Sequence, residues 1–150
     1  GGSDIRHFSV QELLSLDACM ECGRCEEVCP AFATAKPLSP KRVVQDLKGL
    51  METTAADLAA GRKETRALHT ETIQAETLWS CTACSACVNV CPVRIDQLKF
   101  IVHLRRHLVA EGGLSGTAAT ALRRMQSNGN PWGLPPAERA DWRESPVART

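Results

Sequence analysis

The stretch CMECGRCEEVCP, at residues 19–30, places four cysteines within twelve residues. Their spacing is C-x2-C-x2-C-x3-C, and a proline follows the last cysteine. The stretch CTACSACVNVCP, at residues 81–92, repeats this spacing and ends on the same Cys-Pro pair. All eight cysteines of the chain lie in these two runs. The sequence therefore predicts one kind of thiol-based site, built twice.

Disulfides and structural zinc are two alternatives for these cysteines. Eight cysteines allow many disulfide pairings, but neighbouring C-x2-C pairs make awkward bridges, and a chain of 150 residues can fold around one core without staples. A structural zinc ion takes four thiolates from two C-x2-C pairs. Zinc would leave the third evenly spaced cysteine and the Cys-Pro ending of each run unexplained.

The third cysteine and the C-x3-C-P ending favour iron–sulfur clusters. Three cysteines at C-x2-C-x2-C wrap a tight loop around three irons of a 4Fe-4S cube, and in two-cluster ferredoxins the fourth cysteine of each run ligates the other cluster. The spacing therefore predicts two 4Fe-4S clusters as cofactors. The predicted ligands are Cys19, Cys22, Cys25 and Cys91 for cluster 1, and Cys81, Cys84, Cys87 and Cys29 for cluster 2.

The composition indicates a globular protein in a reducing environment. The chain is 43% hydrophobic and 23% charged, with a formal net charge of +1. Such a balance excludes binding to nucleic acid driven by bulk charge. The chain shows neither a secretory signal nor a long apolar run, and disulfides persist in oxidising compartments. We therefore predict a cytoplasmic location.

We predict three parts along the chain. Residues 1–3, Gly-Gly-Ser, look like a tag remnant and are left out of the fold. Residues 4–127 form the predicted two-cluster domain. Residues 128–150 are rich in proline and glycine and form a predicted strap or linker, which Trp132 and Trp142 would anchor onto the helices.

Helical patterns fill the predicted domain. Ser9 followed by Glu12 predicts a capping box, and Ser39-Pro40 predicts the start of a longer helix. The apolar stripe of that second helix consists of Val43, Val44, Leu47, Leu50 and Met51. No segment alternates convincingly between apolar and polar residues, and tyrosine is absent. The predicted fold class is therefore all-α, with two cluster-binding loops.

A helix predicted from Gln97 to about Ala110, capped by Asp96, carries further polar residues. His103 and His107 stand four apart, but the stretch HLRRH lacks the glutamate of an HExxH zinc motif. We interpret them as part of a solvated polar face.

Arg105 lies within the predicted apolar stripe of the same helix. We interpret it as an arginine whose stem packs along the core while its head reaches water. The alternative is a guanidinium that binds a carboxylate or lies near a cluster and raises its potential. Trp79 is predicted to pack beside the second cluster.

Three longer phrases carry a family resemblance. They are DACMECGRCEEVCPAFATAKPLSPKRVVQDLK at 17–48, LWSCTACSACVNVCPV at 78–93 and NGNPWG at 128–133. Together they resemble the α-helical ferredoxin module of heterodisulfide-reductase-like iron–sulfur oxidoreductases, over nearly all of residues 8–133. The phrases ECGRC, CPA, KPLSPK and NPWG look most like the larger membrane-associated members, which pass electrons between a flavoprotein and the quinone pool.

The resemblance implies an α-helical ferredoxin fold and an electron-transfer role. The implied partner is a flavoprotein or a CCG-type redox domain or subunit. Larger members carry transmembrane helices before this module and CCG domains after it, and this sequence has neither. We therefore interpret the chain as a domain of a membrane-anchored parent, at the inner face of the cell membrane, with no substrate-converting site of its own.

Two other interpretations stay open at this point. One is a free-standing electron carrier similar to the C-type subunit of heterodisulfide reductase, which also lacks CCG motifs. The other belongs to a different class, a structural zinc-binding interaction domain in which the same thiolates hold metal without redox chemistry.

Overall fold

The computed structural model describes residues 4–62 and 72–144. Within these ranges the chain forms helices and no strands, which confirms the all-α fold class. The α-helices are α1 (Val10–Asp17), α2 (Arg24–Glu27), α3 (Pro30–Ala33), α4 (Pro40–Ala59), α5 (Ala75–Trp79), α6 (Ala86–Val90), α7 (Gln97–Ala110) and α8 (Gly116–Asn128). Two 3-10 helices, Ile5–His7 and Pro136–Glu144, lie near the ends of the described chain.

The chain divides into two compact units, Gly1–Glu111 and Gly112–Thr150. The first unit contains both cysteine runs and helices α1 to α7. The second unit contains α8 and the C-terminal 3-10 helix. The predicted domain boundary after residue 127 falls within this second unit and stays a prediction. Trp132 and Trp142 are 73% and 65% exposed. These two side chains are therefore not buried within the second unit, and their anchoring of the tail onto the helices stays a prediction.

Local capping explains where the first long helices begin. Ser9 accepts a hydrogen bond from the Glu12 backbone, and the Glu12 carboxylate accepts one from the Ser9 backbone, which confirms the capping box. At the start of α4, Ser39 Oγ accepts a hydrogen bond from the Arg42 N–H at 2.9 Å, and Pro40 occupies the first turn. A capping residue of this kind contributes about 1 kcal/mol.

The core of the first unit lies where α4 packs against α1 and α7, and where α5 packs against α7. Leu16, Leu47, Leu78 and Leu104 have no exposed surface in it. Burying each such leucine contributes about 1.5 to 3 kcal/mol relative to leaving it in water. The fourth cysteine of each run is buried in this same core cluster. Core packing therefore fixes the positions of these two thiols.

Helix α7 buries a face that differs from the predicted one. Its buried side chains are Gln97, Phe100, Ile101, Leu104, His107 and Leu108. His107 is thus not on a solvated face, and the apolar Val109 is 48% exposed. His103 is half-buried and stacks on Phe8, with ring centroids 6.0 Å apart. A histidine ring packs well on apolar neighbours, which a pattern that scores histidine as polar does not show.

Glu12 ties α1 to α7 although it is nearly buried. Lys99 Nζ lies 3.0 Å from its carboxylate, and both the backbone and the hydroxyl of Ser9 donate to it at 2.7 Å. Burial by itself raises the pKa of the Glu12 carboxyl, but the bonds from Ser9 and Lys99 outweigh burial and lower that pKa to about 2. The ionised form is therefore the one that stabilises the fold.

We expect Glu12→Gln to lower the free energy of unfolding by about 2 kcal/mol at pH 7. Because the pKa of Glu12 is lower in the folded state than in the unfolded state, its contribution is complete above about pH 5 and is lost as the pH falls toward 2. Urea midpoints followed by far-UV circular dichroism at pH 7 and pH 4 measure the difference. The exposed Glu52→Gln is the control, and a Glu12→Gln deficit that does not shrink at pH 4 would contradict the assignment.

Candidate functional site

The two cysteine runs fold into loops with matching backbone conformations. The residues immediately before and after the second cysteine are left-handed in both loops. These residues are Glu21 (φ 57°) and Gly23 (φ 83°) in the first loop, and Ala83 (φ 55°) and Ser85 (φ 62°) in the second. Each loop then enters a short helix, α2 or α6. The repeat in sequence is therefore also a repeat in three-dimensional structure.

This loop conformation is unfavourable for most residues. Left-handed backbone costs an L-residue about 1 to 2 kcal/mol, and Ala83 has no polar side chain to offset that cost. Turns of this kind direct successive N–H groups into one concavity, which binds anionic groups and is found at many Fe–S sites. The loops are thus shaped around an electron-rich group rather than relaxed for their own stability.

The eight cysteines lie around two cavities. Cavity 1 is lined by Cys19, Cys22, Cys25 and Cys91, and cavity 2 by Cys29, Cys81, Cys84 and Cys87, each among other residues. The space in the two cavities, including the part open to solvent, is about 320 and 340 Å³. Each cavity takes three cysteines from one run and the fourth from the other. These groups coincide with the two ligand sets that the spacing predicts.

The packing of α2 against α6 brings the two cysteine runs side by side. The Cys29 N–H donates to the Glu26 carbonyl at 3.0 Å, and the Cys91 N–H donates to the Val88 carbonyl at 3.3 Å. Both cysteines then adopt extended backbone, with ψ of 116° and 117°. An extended residue before proline is the conformation that proline favours. Each run therefore leaves its helix at the Cys-Pro pair, and the fourth thiol lies there beside the loop of the other run.

The state of the thiols bears on the alternatives to a cluster. None of the eight cysteines forms a disulfide. Burial raises the pKa of the Cys25 and Cys87 thiols to about 11 each, whereas hydrogen bonding, chiefly with the Ala86 backbone, lowers the pKa of the exposed Cys84 thiol. Thiols ligate metal as thiolates, so metal binding must release the protons of the Cys25 and Cys87 thiols.

A single zinc ion does not fit these cavities. Zinc requires its ligand atoms to converge within about 2.0 to 2.3 Å of one point. In the part of the chain that the structure describes, no three cysteine, histidine, aspartate or glutamate side chains come together closely enough to hold one metal ion. Four cysteines around a cavity of this size fit a cube of irons and sulfides instead.

Comparison with known proteins agrees with this geometry. The family model described as a 4Fe-4S dicluster domain matches residues 15–95. The chain belongs to this family. It is an iron–sulfur electron-transfer domain with two 4Fe-4S clusters, which confirms the predicted cofactors.

Three curated relatives are similar to the chain. A probable membrane-anchored ferredoxin of Chromohalobacter salexigens is 39% identical over 90% of this chain and 23% of its own length. An EtfAB:quinone oxidoreductase of Syntrophomonas wolfei is 35% identical over 95% of this chain and 23% of its own length. An Archaeoglobus profundus protein, described as like the C-type subunit of heterodisulfide reductase, is 24% identical over 75% of this chain and 50% of its own length. The chain thus spans about a quarter of the first two relatives.

No helix within residues 4–62 and 72–144 is long and apolar enough to cross a membrane.

Backbone amides reach two of the cavity-lining sulfurs. The Ile95 N–H donates to Cys91 Sγ at 3.3 Å in the buried core, and the Ala83 N–H donates to Cys81 Sγ at 3.4 Å. Hydrogen bonds to ligand sulfur draw charge away from a cluster and raise its potential. With the predicted ligand sets, one such bond would act on each cluster.

An ion pair beside cavity 1 was not predicted from the sequence. Lys41, at the start of α4, lines cavity 1 and lies 2.8 Å from the Glu26 carboxylate of α2, which also accepts a hydrogen bond from Ser39 Oγ. The hydrogen bond from Lys41 is the main reason that the pKa of Glu26 is lowered. The phrase KPLSPK contains both partners of Glu26, so the family resemblance carried a signal that spacing alone did not.

Arg105 adopts neither of the two predicted arrangements in full. Its Nε donates to the Leu78 carbonyl at 2.9 Å, and one terminal nitrogen donates to the carbonyls of Leu78 and Cys81. Its Cζ lies 5.2 Å from the centre of the Trp79 ring. The guanidinium therefore binds the backbone beside cavity 2, and it forms none of the ion pairs found among residues 4–62 and 72–144. The side chain is half-buried.

We expect Ala83 to tolerate glycine but not valine. Ala83→Gly removes the left-handed strain, so cluster content should stay complete, with stability unchanged or raised by up to about 1 kcal/mol. Ala83→Val places a β-branched residue at φ 55°, a conformation that such residues avoid. Iron and labile sulfide in Ala83→Val should fall to about half. Full iron content in the valine variant would contradict the conclusion that cluster binding requires left-handed backbone at residue 83.

Proposed function

We propose that this domain relays electrons between a flavoprotein dehydrogenase and a quinone or disulfide site of a larger assembly. The proposed ligands are Cys19, Cys22, Cys25 and Cys91 for cluster 1, and Cys81, Cys84, Cys87 and Cys29 for cluster 2. The observation that carries the proposal is the pair of four-cysteine cavities, each lined by thiols from both runs.

Adjacent clusters support a relay rather than two separate sites. A 4Fe-4S cluster carries one electron at a time, with a potential set by its charge, its hydrogen bonds and its exposure. Burial, and after it the neighbouring Cys81, Cys29 and Cys25, raise the pKa of the Cys87 thiol. Cys25 belongs to cavity 1 and the other three cysteines to cavity 2. The thiols of the two cavities are thus close neighbours, and α2 against α6 keeps them so.

The partners and location in this proposal rest on what the relatives are named. One is described as an EtfAB:quinone oxidoreductase and another as a probable membrane-anchored ferredoxin. Each is several times longer than the aligned part. We assign the flavin and the quinone or disulfide chemistry to other domains or subunits, and place this domain at the cytoplasmic face of a membrane. A free-standing carrier like the C-type subunit of heterodisulfide reductase is the second candidate, favoured by the match at 24% identity.

Metal and sulfide analysis of anaerobically purified protein tests the cofactor assignment. We expect about eight irons and eight acid-labile sulfides per chain. After dithionite reduction, low-temperature EPR should show two magnetically interacting clusters. Stoichiometric zinc without labile sulfide, persisting after anaerobic reconstitution, would reject the electron-transfer function and leave a thiolate-bound interaction domain.

Paired cysteine variants test the crossed ligand sets. Cys29 and Cys84 line the same cavity, so the double variant Cys29→Ser/Cys84→Ser should lose one cluster and keep about four irons. Cys29 and Cys22 line different cavities, so Cys29→Ser/Cys22→Ser should lose both clusters. The two variants carry the same number of substitutions, so each controls for the other. If each run instead held its own cluster, the iron contents of the two variants would be exchanged.

A further inference from the structure

Helix α7 passes both cavities and presents one polar side chain near each. Gln97, in its first turn, lines cavity 1. Arg105, eight residues and therefore about 12 Å further along the helix, binds the loop of cavity 2. Neither residue belongs to the cysteine repeat. We propose that α7 sets the two cluster potentials separately, Arg105 through its charge beside cluster 2 and Gln97 through a hydrogen bond to cluster 1.

This inference rests on the proposed ligand sets and adds to them two residues that are not ligands. Both residues are positioning and tuning groups.

The contacts of Arg105 hold its charge in one place. Its guanidinium donates to Leu78 and Cys81 carbonyls and lies over the Trp79 ring, so a ligand residue, a helix end and an aromatic face fix it together. Arginine stays protonated at any pH at which the protein folds. None of the ion pairs found among the described residues involves Arg105. Its positive charge is therefore not neutralised by any of them.

Reduction adds one negative charge to a cluster. A fixed positive charge beside the cluster stabilises the reduced form more than the oxidised form, so it raises the potential. Cavity 1 has a different arrangement, because two cations line it: Lys41 is paired with Glu26, and Arg24 is exposed to solvent, which screens its charge. The net effect of that pair on cluster 1 is smaller than that of an unpaired cation.

Gln97 is the counterpart at cavity 1. It is only 2% exposed, and its side-chain oxygen has no hydrogen-bond partner among the described residues. Half a turn about its last bond exchanges the oxygen and the NH2 group of the amide. A cluster offers sulfur acceptors and no donors, so the NH2 group is the one that faces it. A hydrogen bond from that NH2 group to a cluster sulfur would raise the potential of cluster 1.

The test is an EPR-monitored redox titration of the complete chain. It compares the unmodified protein with Arg105→Gln, Arg105→Lys, Gln97→Met and the control Arg106→Gln. The control removes a positive charge from the exposed neighbouring position on the same helix. Each sample is first assayed for iron and labile sulfide, and only the midpoints of samples with full content are compared.

We expect Arg105→Gln to favour the oxidised form of one cluster about tenfold, a midpoint about 59 mV lower for one electron. The other midpoint should stay unchanged. Gln97→Met should lower the midpoint that Arg105→Gln leaves unchanged, and should not shift the midpoint that Arg105→Gln lowers. Arg105→Lys should keep most of the original midpoint because lysine keeps the charge. Arg106→Gln should shift neither midpoint.

Unchanged midpoints in Arg105→Gln and Gln97→Met, or equal shifts of both midpoints in either variant, would overturn the inference. Loss of cluster 2 from Arg105→Gln would also overturn it. Glutamine keeps one hydrogen-bond donor for the loop, so such a loss would mean that Arg105 holds the loop in place rather than tuning the potential through its charge. The same would follow if Arg106→Gln shifted a midpoint as much as Arg105→Gln. None of these results touches the proposed function, which fails only if the unmodified protein lacks eight irons and two redox-active clusters.

Discussion

The packing of α2 against α6 is the contact on which the cluster site depends. These two helices follow cysteine loops that start 62 residues apart in sequence, at Cys19 and Cys81. Their contact brings the fourth thiol of each run to the loop of the other. Closing so long a stretch of chain costs entropy that grows slowly with its length. Two clusters that each bridge both runs would offset this cost, so folding of the first unit and cluster assembly are coupled.

Several features of the site are unfavourable for the protein alone and favourable only around a cluster. Left-handed backbone at Glu21, Ala83 and Ser85 costs free energy in the two cysteine loops. The thiols of half-buried Cys25 and buried Cys87, with pKa values of about 11, resist the ionisation that ligation requires. Iron–thiolate bonds of a bound cluster would supply the compensation. Three of the five left-handed residues other than glycine in the described chain lie in the two cysteine loops, and strain held at a site is consistent with binding there.

Much of the fold was predictable because its signals are local. Cysteine spacing, the Ser9 and Ser39 caps and the Asp96 cap each depend on residues within a few positions, and the structure shows all three caps. Long-range contacts were not predictable in this way. The partners of Arg105 are carbonyls 24 and 27 residues away, and Ser39 binds Glu26 across thirteen residues. The sequence pattern also predicted that His107 is exposed because it is polar. The packing of α7 within the first unit buries this side chain.

The two loops share one backbone conformation, so the backbone alone does not make the clusters different. Left-handed residues, helix starts and Cys-Pro endings correspond one to one. Differences come from the side chains of the two runs and from elements outside the repeat, and both are unequal. Cavity 1 faces the ion pair of Lys41 from α4 with Glu26 from α2, whereas cavity 2 faces a guanidinium held by backbone carbonyls. In a relay, unequal potentials determine which cluster holds the electron. A repeated motif surrounded by helices that are not repeated would make the two potentials unequal without any change in the ligands.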